Sequence, residues 1–166
     1  IDLFERLYEH NVDIVAPLAF TRNAPHLAVI YGCETGWDPL IKTTYFKNHF
    51  VRNYPENQLV HCDAVGFGAV LIKMDVIRKM QKPYFMSTCG TGEDIYFCYR
   101  AQQQTGSKVY MDTATKLGHI GHPVIIDEPY AKYFWEHFEK RDIKKENTLF
   151  KKYDDKKEEV LVNGVH

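Results

Sequence analysis

The stretch "GTGEDIYFCYRAQQQTGSKVYMDTATKLGHIG", residues 90–121, decides how this chain is organised. It reads as a helix that opens behind a Gly-Thr-Gly loop and closes at Gly106. The strand "KVYMDTA" (108–114) follows, then a turn carrying His119 and His122. A helix that returns through a short turn into an apolar strand is the building unit of an α/β sheet. Two adjacent carboxylates, Glu93 and Asp94, stand in the first helical turn, and two readings compete for them. Thr91 with Asp94 fits a capping pattern, and first-turn carboxylates favour the helix dipole. Equally, Gly90 and Gly92 let the backbone approach a ligand closely, and a carboxylate at such a rigid helix mouth is well placed as a general base. Ile95, Cys98 and Tyr99 form the buried face that would hold the helix still.

Working outward, "DAVGFGAVLIK" (63–73) reads as a uniformly apolar strand broken by Gly66 and Gly68. Glycine inside a strand often marks the close approach of a ligand or another backbone. "MDVIRKM" is a short helix. Upstream, "HLAVIYG" (26–32) and "VDIVAPLAF" (12–20) are further strands, the latter apolar and β-branched as buried strands are. The chain opens on a helix with a capping box, Asp2 with Glu5, and Leu3, Phe4, Leu7 and Tyr8 on one face. Residues 33–61 have no clean period and read as a long loop, a length that is often functional. From Asp127 the chain turns helical and charged, with Pro129 in the first turn and a stripe of Tyr130, Tyr133, Phe134, His137 and Phe138. The expected division is 1–126 for the main domain and 127–166 for a helical extension packed on it.

The bulk numbers bound the function. A chain of 166 residues, 45 % apolar and 26 % charged, suits one globular domain. A net charge of −1 gives no electrostatic case for nucleic acid. No apolar run approaches the roughly 20 residues of a transmembrane helix, and no signal peptide precedes the first helix. Four cysteines without a C-x-x-C spacing read as reduced thiols in a cytoplasmic setting. Aromatics at 14 % are enough to line a groove. Two histidines in "LGHIGHP" suit a divalent metal, though no complete ligand set accompanies them.

The order of these pieces resembles the later part of GT-A type glycosyltransferases, family 2 in particular. It covers about residues 1–125, and the block 63–122 carries most of the specificity. The resemblance implies an α/β fold with a GT-A-like mixed sheet flanked by helices. It implies metal-dependent transfer of a sugar from a nucleotide-diphosphate donor to an acceptor hydroxyl on a glycan or similar molecule. "GED" looks like the family's x-E-D motif, which puts Asp94 at the base position with Glu93 beside it. "LGHIG" looks like the family's late histidine, which makes His119 a ligand for Mn²⁺ or Mg²⁺ ahead of His122. "VGFGAVLIK" looks like the strand beside the donor sugar. Gly66, Gly68, Gly92 and Trp37 are the substrate-binding candidates. The family's Asp-x-Asp motif would come just before helix 3–10, where this chain starts. The expectation is therefore an N-terminally incomplete enzyme that self-associates over its exposed strand edge. Two rivals stand beside it. One is a non-catalytic carbohydrate-binding or assembly module stacking sugars on Trp37, Tyr45 and Tyr54. The other is a metal-dependent hydrolase built on Asp63, Asp112, His119 and His122.

Overall fold

The computed structural model describes residues 2–40, 42–88, 90–120 and 125–137. The fold is α/β with a mixed sheet. Helix α1 (Leu3–Glu9) leads into β1 (Ile14–Leu18), a strand buried along its whole length. β1 pairs in parallel with β7 (Val109–Lys116), from Ile14 opposite Val109 to Pro17 opposite Asp112. The antiparallel strands β4 (Leu59–Cys62) and β6 (Leu71–Ile72) flank this pair, giving the order β4-β7-β1-β6. Both faces of the central pair are covered, so the run "IVAPL" shows no polar alternation. A second sheet holds β2 (Ile30–Asp38), β3 (Thr43–Phe50) and the short β5 (Ala64–Val65). Helices α2 (Met74–Lys79) and α3 (Glu93–Thr105), the ribbon β8 (His119–Ile120) with β9 (Ile125–Ile126), and α4 (Glu128–His137) complete the described chain.

The segment 33–61 is not a loop. It is most of a long antiparallel hairpin with strands of nine and eight residues. Tyr31, Cys33, Thr35 and Trp37 lie opposite Phe50, Asn48, Phe46 and Thr44 on one face. Gly32 and Gly36 lie opposite His49 and Tyr45 on the other. A Cβ on either glycine would stand 2.5 Å from the partner's ring, so both positions are seats for a cross-strand aromatic. Asp38 Oδ1 accepts the Leu40 N–H and starts the turn. The segment 63–73 is also not one strand: β5 and β6 belong to different sheets, and the chain turns between them.

The capping box of α1 is present in full, with Glu5 N–H donating to Asp2 Oδ1 at 2.9 Å. Its expected apolar face is only half used. Leu7 is buried, but Phe4 and Tyr8 are exposed. Polar contacts dock this helix instead. Asp112, 1 % exposed, accepts from Arg6 Nε at 3.1 Å, from His10 Nε2 at 3.0 Å and from the Thr115 hydroxyl at 2.6 Å. The Ala114 N–H donates to its other oxygen. Burial alone would raise the Asp112 carboxyl. The hydrogen bonds from Thr115, His10, Ala114 and Arg6 outweigh it and hold the group at about 2, against ~3.9 for a free aspartate. A carboxyl lowered on folding stabilises fully above its unfolded value, and that stability is lost as pH falls through the folded value. Arg6 is half exposed and screens the pair. Asp112→Asn is therefore expected to cost on the order of 2 kcal/mol at neutral pH and to flatten the stability profile between about pH 5 and pH 2. Urea unfolding across that range checks it, and an acid slope equal to the wild type's would refute it.

Helix α4 lies against the segment between β1 and β2. Trp135 sets its ring edge-on to Phe20 at 5.9 Å, and His26 sits between Tyr130 and Phe134. Phe138 and the rest of the expected stripe and tail, to His166, lie outside the described residues. No described helix is long and apolar enough to cross a membrane.

Candidate functional site

Helix α3 is terminated by Gly106 in the left-handed region, φ +71°. At the other end the N-cap is Gly92, which has no side chain to cap with. Thr91 does not take that role, since its hydroxyl accepts from Asn48 Nδ2 on β3 at 3.0 Å. Asp94 Oδ1 instead accepts the Ile95 N–H at 2.8 Å, one of the unpaired donors of the first turn. That oxygen folds back over Gly92, where a Cβ would meet it at 2.8 Å. Gly92 thus makes room for the carboxylate. Asp94 Oδ2 has no hydrogen-bond partner among the described residues. One oxygen of Asp94 caps the helix, and the other is unpaired among the described residues. Burial, and then the nearby Asp94 charge, push the Tyr31 hydroxyl up to about 12. Glu93 is exposed.

Three contacts hold α3 along β5. Gln102 Nε2 donates to the Asp63 carbonyl at 2.7 Å, the Cys98 thiol lies against the Val65 backbone, and Phe97 is fully buried. The helix therefore runs back along β5, with Asp94 one turn before Cys98 and close enough to Tyr31 for its charge to act on that hydroxyl. Gly66 N–H donates to the Val29 carbonyl, and Val29 N–H donates to the Ala19 carbonyl just past β1. These bonds lead from Gly66 toward the carboxyl end of the parallel pair β1–β7. In open α/β sheets ligands bind at that end.

His119 reaches the same end. Arg22 Nη2 stands 3.3 Å from His119 Nε2, and guanidinium only donates, so Nε2 accepts. Nδ1 then carries the proton and donates to the Phe20 carbonyl at 3.1 Å. This is the neutral tautomer, with the orienting backbone bond a metal-bound histidine has. Its free lone pair, however, is taken by a cation. Among the described residues no group of three His, Cys, Asp or Glu could hold a metal ion. His122 lies outside the described residues.

The other expected residues divide. Gly66 is buried against Val29, whose Cβ would be 2.9 Å from an added Cβ, so it makes room for that side chain. Gly68 is exposed with open space beside it. Trp37 is 60 % exposed near the outer end of the hairpin. Asp63 Oδ2 accepts the Cys33 N–H at 2.8 Å, and Asp112 is committed to α1. Of the acid pair that a hydrolase would need, Asp112 is spent on structure, while Asp63 Oδ1 has no hydrogen-bond partner among the described residues. Burial raises the thiols of Cys33 and Cys98 to about 12, and Cys62 higher still, so none is a nucleophile. The sequence reading missed Arg22, and it placed Tyr99 in the core. Tyr96 and Tyr99 instead line a groove of ≈ 650 Å³ between α3 and the β2–β3 hairpin. The signal was the alternation in "TTYFKNHF", which marks a strand whose aromatic face needs a partner.

No protein-family model and no curated protein matches this sequence. Among solved structures, the crystal structure of A197 from STIV is similar, with a TM-score of 0.45 and 18 % identity. The match covers 72 % of this chain and 50 % of that one, so the chain spans about half the length of the protein it matches.

Proposed function

We propose that this chain carries the acceptor side of a GT-A-like glycosyltransferase, which moves a sugar from a nucleotide-diphosphate donor to an acceptor hydroxyl. The observation that carries the reading is the Asp94 carboxylate. It is fixed by one oxygen at a helix mouth whose N-cap is a glycine, with the other oxygen available. In this reading Asp94 Oδ2 takes the proton from the acceptor hydroxyl. The hydroxyl oxygen bonds to the anomeric carbon, and the bond from that carbon to the diphosphate oxygen breaks. The electron pair leaves with the diphosphate. A direct displacement of this kind inverts the anomeric centre.

The leaving group needs a cation. The divalent ion implied by the resemblance would meet one imidazole nitrogen already in contact with Arg22. The described residues do not fit such an ion, and no step is routed through it. Arg22 is exposed and oriented by His119, and its planar fork of donors suits a diphosphate. We assign it that role. The test, on the full-length protein, is nucleoside-diphosphate release from uridine- and guanosine-diphosphate sugars, with and without Mn²⁺. Release with at least one donor is expected, and Arg22→Ala should lower it by about tenfold or more. No release from any donor would overturn the reading. A second reading, a carbohydrate-binding module without transfer, is favoured by the aromatic groove; it expects saccharide binding with no nucleotide released.

A further inference from the structure

The groove between α3 and the hairpin has an unusual lining. Its side chains are Thr35, Thr44, Thr88, Tyr96, Tyr99 and Phe46, with Gly36, Thr43 and Tyr45 bordering it from strand positions that face the other side of the hairpin. None is charged. The hydroxyls of Thr35, Thr44, Thr88, Tyr96 and Tyr99 have no hydrogen-bond partner among the described residues, although five lie in one groove. The rings are held in place. Tyr96 and Tyr99, three apart on one face of α3, stack at 6.0 Å and 25°. Phe46 packs on both, at 5.9 Å and 4.7 Å. Trp37 lies directly opposite Thr44, on the same hairpin face as Phe46, and extends the aromatic row outward. The other end is tied to the helix mouth. Thr88 lines the groove and pairs with Thr91, whose hydroxyl holds Asn48 of β3. Glu93 heads the same helical face as Tyr96.

We infer that this groove is the acceptor site for a neutral oligosaccharide. A pyranose ring has an apolar C–H face, which packs on aromatic rings, and a rim of hydroxyls, which exchange hydrogen bonds with threonine and tyrosine. An uncharged lining gives nothing to a phosphate, a uronate or a charged peptide. The volume lies within the ~300–1,000 Å³ of small-ligand sites. Trp37 adds a further stacking surface for a chain longer than the groove. The acceptor role rests on the transferase reading above; saccharide binding itself does not.

Saturation-transfer difference NMR and calorimetric titration test this with hexasaccharides of glucose, mannose and galactose, and with hexagalacturonate as the acidic counterpart. Binding of at least one neutral hexasaccharide is expected, with saturation on its C–H protons and weaker binding of the acidic chain. Tyr99→Ala and Trp37→Ala should each weaken binding about tenfold, while Phe4→Ala, an exposed ring on α1, should not. Tyr99 also packs the helix, but Trp37 is mostly solvent-exposed, so its variant separates binding from folding. Failure of every neutral hexasaccharide to bind, or binding untouched by Trp37→Ala and Tyr99→Ala, overturns the site. Nucleotide release is read separately. Release without saccharide binding sinks the groove and leaves the transferase. Saccharide binding without release from any donor sinks the acceptor role together with the transferase.

Discussion

Replacing Asp94 with Asn in the full-length protein is expected to lower sugar transfer by about a hundredfold or more, the usual worth of a positioned general base. The substitution is close to isosteric. The Asn carbonyl oxygen can still accept the Ile95 N–H that Asp94 Oδ1 accepts at 2.8 Å, so the cap survives. What is lost is the second oxygen, which becomes an amide that cannot take a proton. Stability should therefore move little while turnover collapses. An independent readout accompanies this. The Asp94 charge contributes, after burial, to raising the Tyr31 hydroxyl to about 12. Removing it should bring the Tyr31 titration down, which ultraviolet pH titration reads. Near-normal turnover in Asp94→Asn would leave Asp94 a helix cap and nothing more.

The second large effect is on stability. Phe97→Ala is expected to cost about 3–5 kcal/mol, the range for a buried phenylalanine whose site cannot collapse. Phe97 is fully buried. Phe85 stacks on it at 4.8 Å and 16°, and Phe67 meets it edge-on at 5.4 Å. Phe67 belongs to the turn between β5 and β6, so this cluster clamps α3 to the segment around Gly66 and Gly68. A loss of that size is a large part of an ordinary domain's stability and should lower the melting temperature by roughly 10 °C. Phe97→Leu should cost far less, since it leaves a smaller cavity. Thermal unfolding of the two variants checks both figures. A Phe97→Ala loss below about 1 kcal/mol would show that the helix mouth is held by the polar contacts of Gln102 and Arg100 instead.

Local signals were enough for the elements whose stability is local. The Asp2–Glu5 capping box, the stop at Gly106 and the strands at 12–20 and 108–114 were legible because caps, left-handed glycines and apolar runs act over a few residues. The placement of Glu93 and Asp94 in a first helical turn was legible for the same reason. The hairpin was not. Its residues show no clean period, because Gly32 and Gly36 are the seats of His49 and Tyr45 on the partner strand, and that pairing is set by register across the turn. The face of α1 was misread because a buried carboxylate more than 100 residues away, Asp112, draws Arg6 and His10 inward and leaves Phe4 and Tyr8 outside. The site divides along the same line. The residue types at 90–94 and 119 determined that a carboxylate and an imidazole were available. Only the tertiary structure decided that one Asp94 oxygen is spent on the helix, that Arg22 occupies the His119 lone pair, and that Tyr96, Tyr99 and Phe46 meet across a groove. The first is a local bond whose choice of oxygen the sequence does not show; the other two are contacts between segments distant in sequence, where packing and charge pairing outweigh local preference.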